Sequence, residues 1–155
     1  MDNKKILVTG GAGFVGSNLI KQIREKYPTS QITVMDNFFT GHYNKIADIP
    51  DIDLVTADTW DIEREFSHEP GTFDIVFHFG EYSRIVSSFK DIDYVLKTNL
   101  HGTTRVLEMC RKWGAKLIYS ASSSKFGNGG KDENLSPYAW MKAKIVELIK
   151  NYKEW

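Results

Sequence analysis

Tyr138 and Lys142 stand four residues apart in Pro-Tyr-Ala-Trp-Met-Lys. In a helix that spacing puts both side chains on one face. A free phenol has a pKa of about 10 and is a poor base at neutral pH. A neighbouring ammonium and a cationic hydride-accepting ring, if one is bound, both favour the phenolate, and a fall of roughly three units corresponds to about 4 kcal/mol of differential stabilisation. A tyrosine tuned in this way can take a proton from a hydroxyl. Ser120, Ser122, Ser123 and Ser124 lie shortly upstream and offer hydroxyls to help move that proton. Tyr-x-x-x-Lys alone also describes many surface helices, so its meaning depends on what precedes it.

What precedes it is a glycine-rich turn, Val8-Thr9-Gly10-Gly11-Ala12-Gly13-Phe14-Val15-Gly16. Gly11, Gly13 and Gly16 fit G-x-G-x-x-G; Gly10, Gly13 and Gly16 fit G-x-x-G-x-x-G. Such glycines permit a tight turn, let backbone approach a pyrophosphate, and let the following helix pack close to the strand. The helix start offers unpaired N–H groups and a positive dipole end to an anion. Asp36 ends the next strand-like run about twenty residues later, where a ribose-binding acid belongs. Its carboxylate can accept from both ribose hydroxyls and would repel a 2′-phosphate. Asn37, Phe38 and Phe39 follow it, with no arginine. The expected cofactor is therefore NAD rather than NADP.

The elements that must position these groups alternate. Strand-like runs cover residues 5–9, 31–35, 52–56, 73–79 and 115–119. Helical patterns cover 14–27, 61–66, 91–113 and 137–152. Pro28 and Gly114 are stop signals, and Pro137 suits a first helical turn. Residues 120–136 are rich in Ser, Gly and Asn and read as a long loop, often a functional feature. This alternation predicts an α/β fold with a doubly wound parallel sheet of about five strands joined by right-handed crossovers. The chain reads as one dinucleotide-binding domain over residues 1–155.

Bulk properties narrow the partners. The 155 residues are 41% hydrophobic, with 20 basic and 20 acidic side chains. This balance gives no case for nucleic acid or an anionic membrane. No apolar run approaches the ~20 residues of a membrane helix. Cys110 is the only cysteine, so neither an internal disulfide nor a cysteine metal site is available, and no metal is expected. No signal peptide pattern opens the chain, and a cytoplasmic location is the expectation.

The ordered set TGGAGFVGSNL, MDNFFTG, the acids Asp58 and Asp61, VFHFG, TNLHGT, a serine cluster and YAWMK resembles the extended short-chain dehydrogenases of the NAD-dependent epimerase/dehydratase family, including the UDP-galactose 4-epimerase type. The resemblance spans nearly the whole chain. It implies a Rossmann sheet in the order 3-2-1-4-5. It also implies that Phe14 and Val15 pack at the pyrophosphate, and that Asp36 and Asn37 hold the adenosine ribose. Asp58 with Thr59 would contact adenine, Phe79, Gly80 and Glu81 would line the nicotinamide-side loop, and Asn99 would sit in the helix behind it. By this resemblance Ser122, Tyr138 and Lys142 form the catalytic trio, with Ser123 the fallback for Ser122, and Lys142 also bonds the nicotinamide ribose.

Three departures matter. Glu81 stands where the family usually has a small residue, so it either faces the nicotinamide or turns outward to Arg84. Ser123 and Ser124 replace the Asp-Glu of 4,6-dehydratases, which favours epimerisation over dehydration. Lys125 and Phe126 replace the usual Val-Tyr before Gly127. The implied reaction is hydride transfer from a nucleotide-diphosphate sugar to NAD and back, inverting one centre. Dehydration, reduction, or NAD binding without turnover are the alternatives. Relatives of this kind continue into a substrate-binding domain, so that domain is expected to be missing here. Helices 91–113 and 137–152 would form the homodimer interface, and β5 would be an exposed edge.

Overall fold

A computed structural model of the chain describes residues 1–123 and 127–154. Ser124, Lys125 and Phe126 lie outside the described residues. Five strands pair in parallel: β1 (Lys5–Thr9), β2 (Gln31–Met35), β3 (Ile52–Val55), β4 (Ile75–His78) and β5 (Lys116–Tyr119), in the order β3-β2-β1-β4-β5. This is the order the resemblance implies. Successive side chains of β1 point to opposite faces of the sheet. Ile6 and Val8 enter one core with Ile20, Ile23 and Val34, under helix α1 (Phe14–Lys26). Leu7 enters the other with Ile62, Val76, Val106, Met109 and Trp113. With both faces covered, the central strands are apolar nearly throughout.

The second core is closed by α2 (Ile62–Glu65) and by a long helical segment. The single helix expected over 91–113 is instead three conformations in series: α3 (Ile92–Val95), a π-helical stretch Leu96–His101, and α4 (Gly102–Trp113). A π turn has one more residue than an α turn and re-aims the side chains it carries. Here it contains Asn99, which is fully buried. Gly114 ends α4 in the left-handed conformation, with φ 70°, as its placement predicts. The loop expected before the last helix holds a 3-10 segment, Gly127–Asn134, and α5 (Pro137–Glu154) follows. Ser136 caps α5: its hydroxyl accepts the Ala139 N–H at 3.0 Å. Pro137 occupies the first position, where no N–H is needed.

His78 joins three elements at the carboxyl end of the sheet. Its Nδ1 lies 2.6 Å from Thr9 Oγ1 on β1, and its Nε2 lies 2.8 Å from Thr103 Oγ1 on α4. Burial first, and the Lys142 charge second, depress its pKa to about 3. The ring is therefore neutral, and one nitrogen must accept. Thr103 donates to Glu81, so His78 Nε2 donates to Thr103 and Nδ1 accepts from Thr9. The Gly80 N–H completes the series by donating to Thr9 Oγ1 at 3.2 Å.

Two outcomes are expected. Trp113 is 2% exposed, stacks edge-on against Phe66 and Phe73, and donates from Nε1 to Ser67 O at 2.7 Å. Trp113→Ala should cost about 3–5 kcal/mol of unfolding free energy by urea titration; a loss below about 1 kcal/mol would contradict this packing. For His78, both states are neutral above about pH 6.5. As pH falls from there towards about 3, the unfolded chain takes the proton and the folded chain does not. Stability should therefore decline on acidification, by up to about 1.4 kcal/mol per pH unit from this group. Denaturant titrations between about pH 7 and 5 on wild type and His78→Gln check it. The wild-type curve must be the steeper.

Candidate active site

The carboxyl ends of β1, β2, β4 and β5 open into a cleft of about 590 Å³, within the range of cofactor and ligand sites. At one end is the β1–α1 turn. Gly10 has φ +69°, and a Cβ there would lie 2.6 Å from the Phe79 carbonyl carbon and 2.7 Å from Gly80 N. Only glycine fits both the conformation and the space. Gly13, the N-cap of α1, has no side chain to cap the helix. The first N–H groups of α1 have no intrahelical partners. With Phe14 and Val15 largely exposed beside them, they form a cradle that fits a diphosphate in charge and shape.

Asp36 directly follows β2 on the wall of the same cleft, 7% exposed. Its Oδ2 accepts the Ala12 N–H at 2.9 Å and its Oδ1 accepts the Phe38 N–H at 2.8 Å. These bonds fix the carboxylate against the glycine turn. Each oxygen retains a further lone pair for a hydroxyl. Gly41 lies against it, and a Cβ there would lie 2.7 Å from Asp36 Oδ1. The sequence reading does not identify Gly41; a glycine shortly after the acid is the signal that could have marked it. Asn37 donates to Asp58 Oδ1, and more distantly, at 3.3 Å, to Tyr94 Oη. Thr59 is buried beside them, and Asp58 and Thr59 both line the cleft.

The other end of the cleft is built on the segment after β4. Asn99 does not line the cleft. Its side-chain amide clamps the backbone of Tyr82, accepting the N–H at 2.7 Å and donating to the carbonyl at 2.9 Å. Asn99 thus sits in the helix behind the Phe79–Glu81 loop, and the π turn points it at the backbone of Tyr82. The clamp holds Glu81 inward, and Arg84 stays exposed at the mouth. Of the two orientations open to Glu81, the chain takes the inward one.

Glu81 meets Lys142 there as a buried ion pair, with each side chain 4% exposed. Lys142 comes from α5, one turn after Tyr138. Its ammonium donates to Glu81 Oε2, to Tyr119 Oη at 2.8 Å and to Ser120 O at 2.5 Å. An ammonium has three donors, and these three acceptors use them all. Glu81 Oε1 in turn accepts from Tyr119 Oη at 3.0 Å and Thr103 Oγ1 at 3.1 Å. Burial, and then Glu81, push the Tyr119 phenol up. The sequence reading misses Tyr119 and Thr103 because they are separated from Lys142 along the chain. Tyr119 faces His78 in the β4–β5 register, and this pairing is their only signal.

Tyr138 lines the cleft, half-buried, and is hydrogen-bonded with Ser122. Ser123, the fallback hydroxyl, is exposed. The chain by itself supplies only the first of the two cations expected to lower this phenol. Burial foremost, and the Glu81 charge next, push Tyr138 up, against a lowering contribution from Ser122. Lys142, the residue expected to bond a ribose, lines the same cleft and is engaged with Glu81. The cleft thus fits a dinucleotide at its diphosphate and adenosine end, and Glu81, Tyr138 and Lys142 gather at the other. Among the described residues, no helix is long and apolar enough to cross a membrane, and no group of three or more metal-ligating side chains gathers.

Comparison with known proteins identifies the family and the fold. The chain is 30% identical over 159 residues to the dTDP-glucose 4,6-dehydratase of Mycobacterium tuberculosis, covering 94% of this chain and 48% of that protein. A UDP-glucose 4-epimerase from Thermus thermophilus, solved with NAD, superposes with a TM-score of 0.78 at 27% identity, over 97% of this chain and 51% of that one. The Bordetella bronchiseptica enzyme WbmF, solved with NAD+, gives a TM-score of 0.85 at 26% identity, over 99% of this chain and 46% of that one. The chain spans about half the length of the curated relatives it matches. The NAD dependent epimerase/dehydratase profile matches residues 6–154, and the chain belongs to that family of enzymes.

Proposed function

We propose that this chain is the NAD-binding half of a nucleotide-sugar epimerase, acting at a sugar hydroxyl by transient oxidation. The observation that carries the reading is the single cleft that joins the β1–α1 cradle, the Asp36 carboxylate and the Tyr138–Ser122 pair. The amides at the start of α1 would hold the diphosphate, with Gly10, Gly13 and Gly16 keeping it clear of side chains. Asp36 would take the adenosine ribose hydroxyls through its remaining lone pairs, and Asn37, Asp58 and Thr59 would flank the adenine. Phe79, Gly80 and Glu81 would bound the nicotinamide side, positioned by Asn99.

Bound NAD supplies the hydride acceptor and, in the return step, the donor. Tyr138 would accept the proton of the sugar hydroxyl as that carbon loses hydride, leaving a keto sugar. Ser122 would hydrogen-bond the same oxygen and hold it beside the phenol. Return of hydride to the opposite face, with the proton given back by Tyr138, inverts the centre and restores the hydroxyl. Serine at position 123, where 4,6-dehydratases carry an acid, supports epimerisation over loss of water.

Calorimetric titration of the folded chain should show uptake of NAD+ in preference to NADP+. Asp36→Ala should weaken NAD+ by about ten- to a hundredfold and narrow that preference. Folded protein that takes up no NAD+ would end this reading. Turnover is read by product stereochemistry with UDP-, dTDP-, GDP- and ADP-sugars. Epimer should appear without net NADH, and Tyr138→Phe should lower the rate at least about a hundredfold. Net NADH accumulation or a dehydrated product would point to the sister reactions.

A further inference from the structure

Phe39 is an apolar ring that lies outside the hydrophobic cores of the described residues. It is 58% exposed, yet it lines the cleft near the acids of the adenosine end. The loop that carries it is built to present it. Phe38 holds the left-handed conformation, φ 58°, which is uncommon for a residue with a Cβ, and packs its own ring against the first core. The Phe38 N–H donates to Asp36 Oδ1, and the Phe39 N–H donates to Asn37 Oδ1 at 3.0 Å. One phenylalanine is thereby turned inward and the next is turned to the cleft. There Phe39 meets Tyr94 of α3, with ring centres 4.7 Å apart and planes inclined by 35°, and Tyr82 of the β4 loop at 6.0 Å. Tyr94 is held in turn by Tyr82 and Trp60, both edge-on, and by the Asn37 amide at its hydroxyl. The Lys97 ammonium lies over the Trp60 ring at 4.2 Å. These rings bridge the β2 loop to α3 beside Asp36, Asn37 and Asp58.

We propose that Phe39 and Tyr94 form an aromatic clasp that takes the flat face of the adenine and retains the adenosine half of the dinucleotide in the cleft. On the NAD-binding reading above, Asp36 holds the ribose hydroxyls, and Asn37, Asp58 and Thr59 flank the base. The clasp, which rests on that reading, supplies what those polar groups lack, a surface for the face of the purine. Every base has a π-face, and an aromatic ring set against it adds affinity without needing a hydrogen bond. An exposed ring on a cleft wall gains most from such a ligand, because covering it removes apolar area from water. The rings already touch one another in the chain. Their arrangement is therefore fixed before the ligand enters, which lowers the ordering cost of binding. Phe39 is the member with the most surface left to cover. Tyr94 backs it from α3, so the same contact also fixes the β2 loop that carries Asp36.

The test is calorimetric titration of the full chain with ADP-ribose, which keeps the adenosine diphosphate and lacks the nicotinamide, and with NAD+. Phe39→Ala should weaken both ligands alike, by about five- to a hundredfold. Phe39→Tyr keeps a ring and should stay within about threefold of wild type. Phe39→Leu is apolar but has no ring, and should lose nearly as much as alanine. Tyr94→Ala should weaken ADP-ribose as well, and Tyr94→Phe should restore it. Phe39→Ala that binds ADP-ribose within about twofold of wild type overturns the clasp, as does Phe39→Leu that binds as tightly as wild type. Wild type gives a second readout that needs no weakened variant. In protein labelled with carbon-13 phenylalanine, the Phe39 ring-proton signals, identified by their loss in Phe39→Tyr, should move upfield when ADP-ribose is added. Signals that stay in place while ADP-ribose binds overturn the clasp. Wild type that takes up neither ligand would remove the functional reading and the clasp with it; uptake by wild type with indifferent Phe39 variants would remove the clasp alone.

Discussion

The backbone of the β1–α1 turn and the backbone leaving β4 occupy adjoining space at the carboxyl edge of the sheet, and almost everything else in the cleft is arranged around that contact. Gly10 makes it possible, because any Cβ there would clash with the backbone of Phe79 and Gly80. The contact also ties two strands together: Thr9 at the end of β1 faces His78 at the end of β4 in register, and bonds it. Once these ends are fixed, the amides of α1 face the cleft from one side and the Phe79–Glu81 segment faces it from the other. An L-residue at position 10 would be strained in conformation and obstructed in space, so no rotamer change could relieve it.

The second constraint is electrostatic. Burying a carboxylate and an ammonium together is costly unless every donor and acceptor finds a partner. Glu81 and Lys142 meet this condition through Tyr119, Thr103 and Ser120. The result is a polar seam that runs from Thr9 through His78, Thr103 and Glu81 to Lys142, crossing β1, β4, α4 and α5. Within it His78 is structural. Its depressed pKa follows from burial, and its two nitrogens serve two threonines. Cys110 is similarly inert, with burial pushing its thiol up to about 12.

Most element positions were legible because β1, β2 and β4 are largely buried and each long helix buries one face, so burial is written into local periodicity; the strand order followed from the family resemblance. Break points were less legible. The run from 91 to 113 has helical spacing throughout, yet it contains a π turn, because the decisive contact is between Asn99 and the backbone of Tyr82, seventeen positions away in the chain. The loop before α5 likewise reads as irregular from composition, although part of it winds into a 3-10 segment.

The sequence alone determined the glycine turn, the acid at the tip of β2 and the Tyr138–Lys142 spacing, because each depends on residues close in the chain or on a fixed strand–turn–helix unit. It could place Glu81 beside that site but could not orient it. Tertiary structure decided that Glu81 faces inward, that Lys142 gives all three of its donors to the sheet side, and that Tyr138 is bonded with Ser122. These outcomes turn on which charges share a buried volume of low polarisability, and that depends on how β4, β5, α4 and α5 converge in space, which no local pattern encodes.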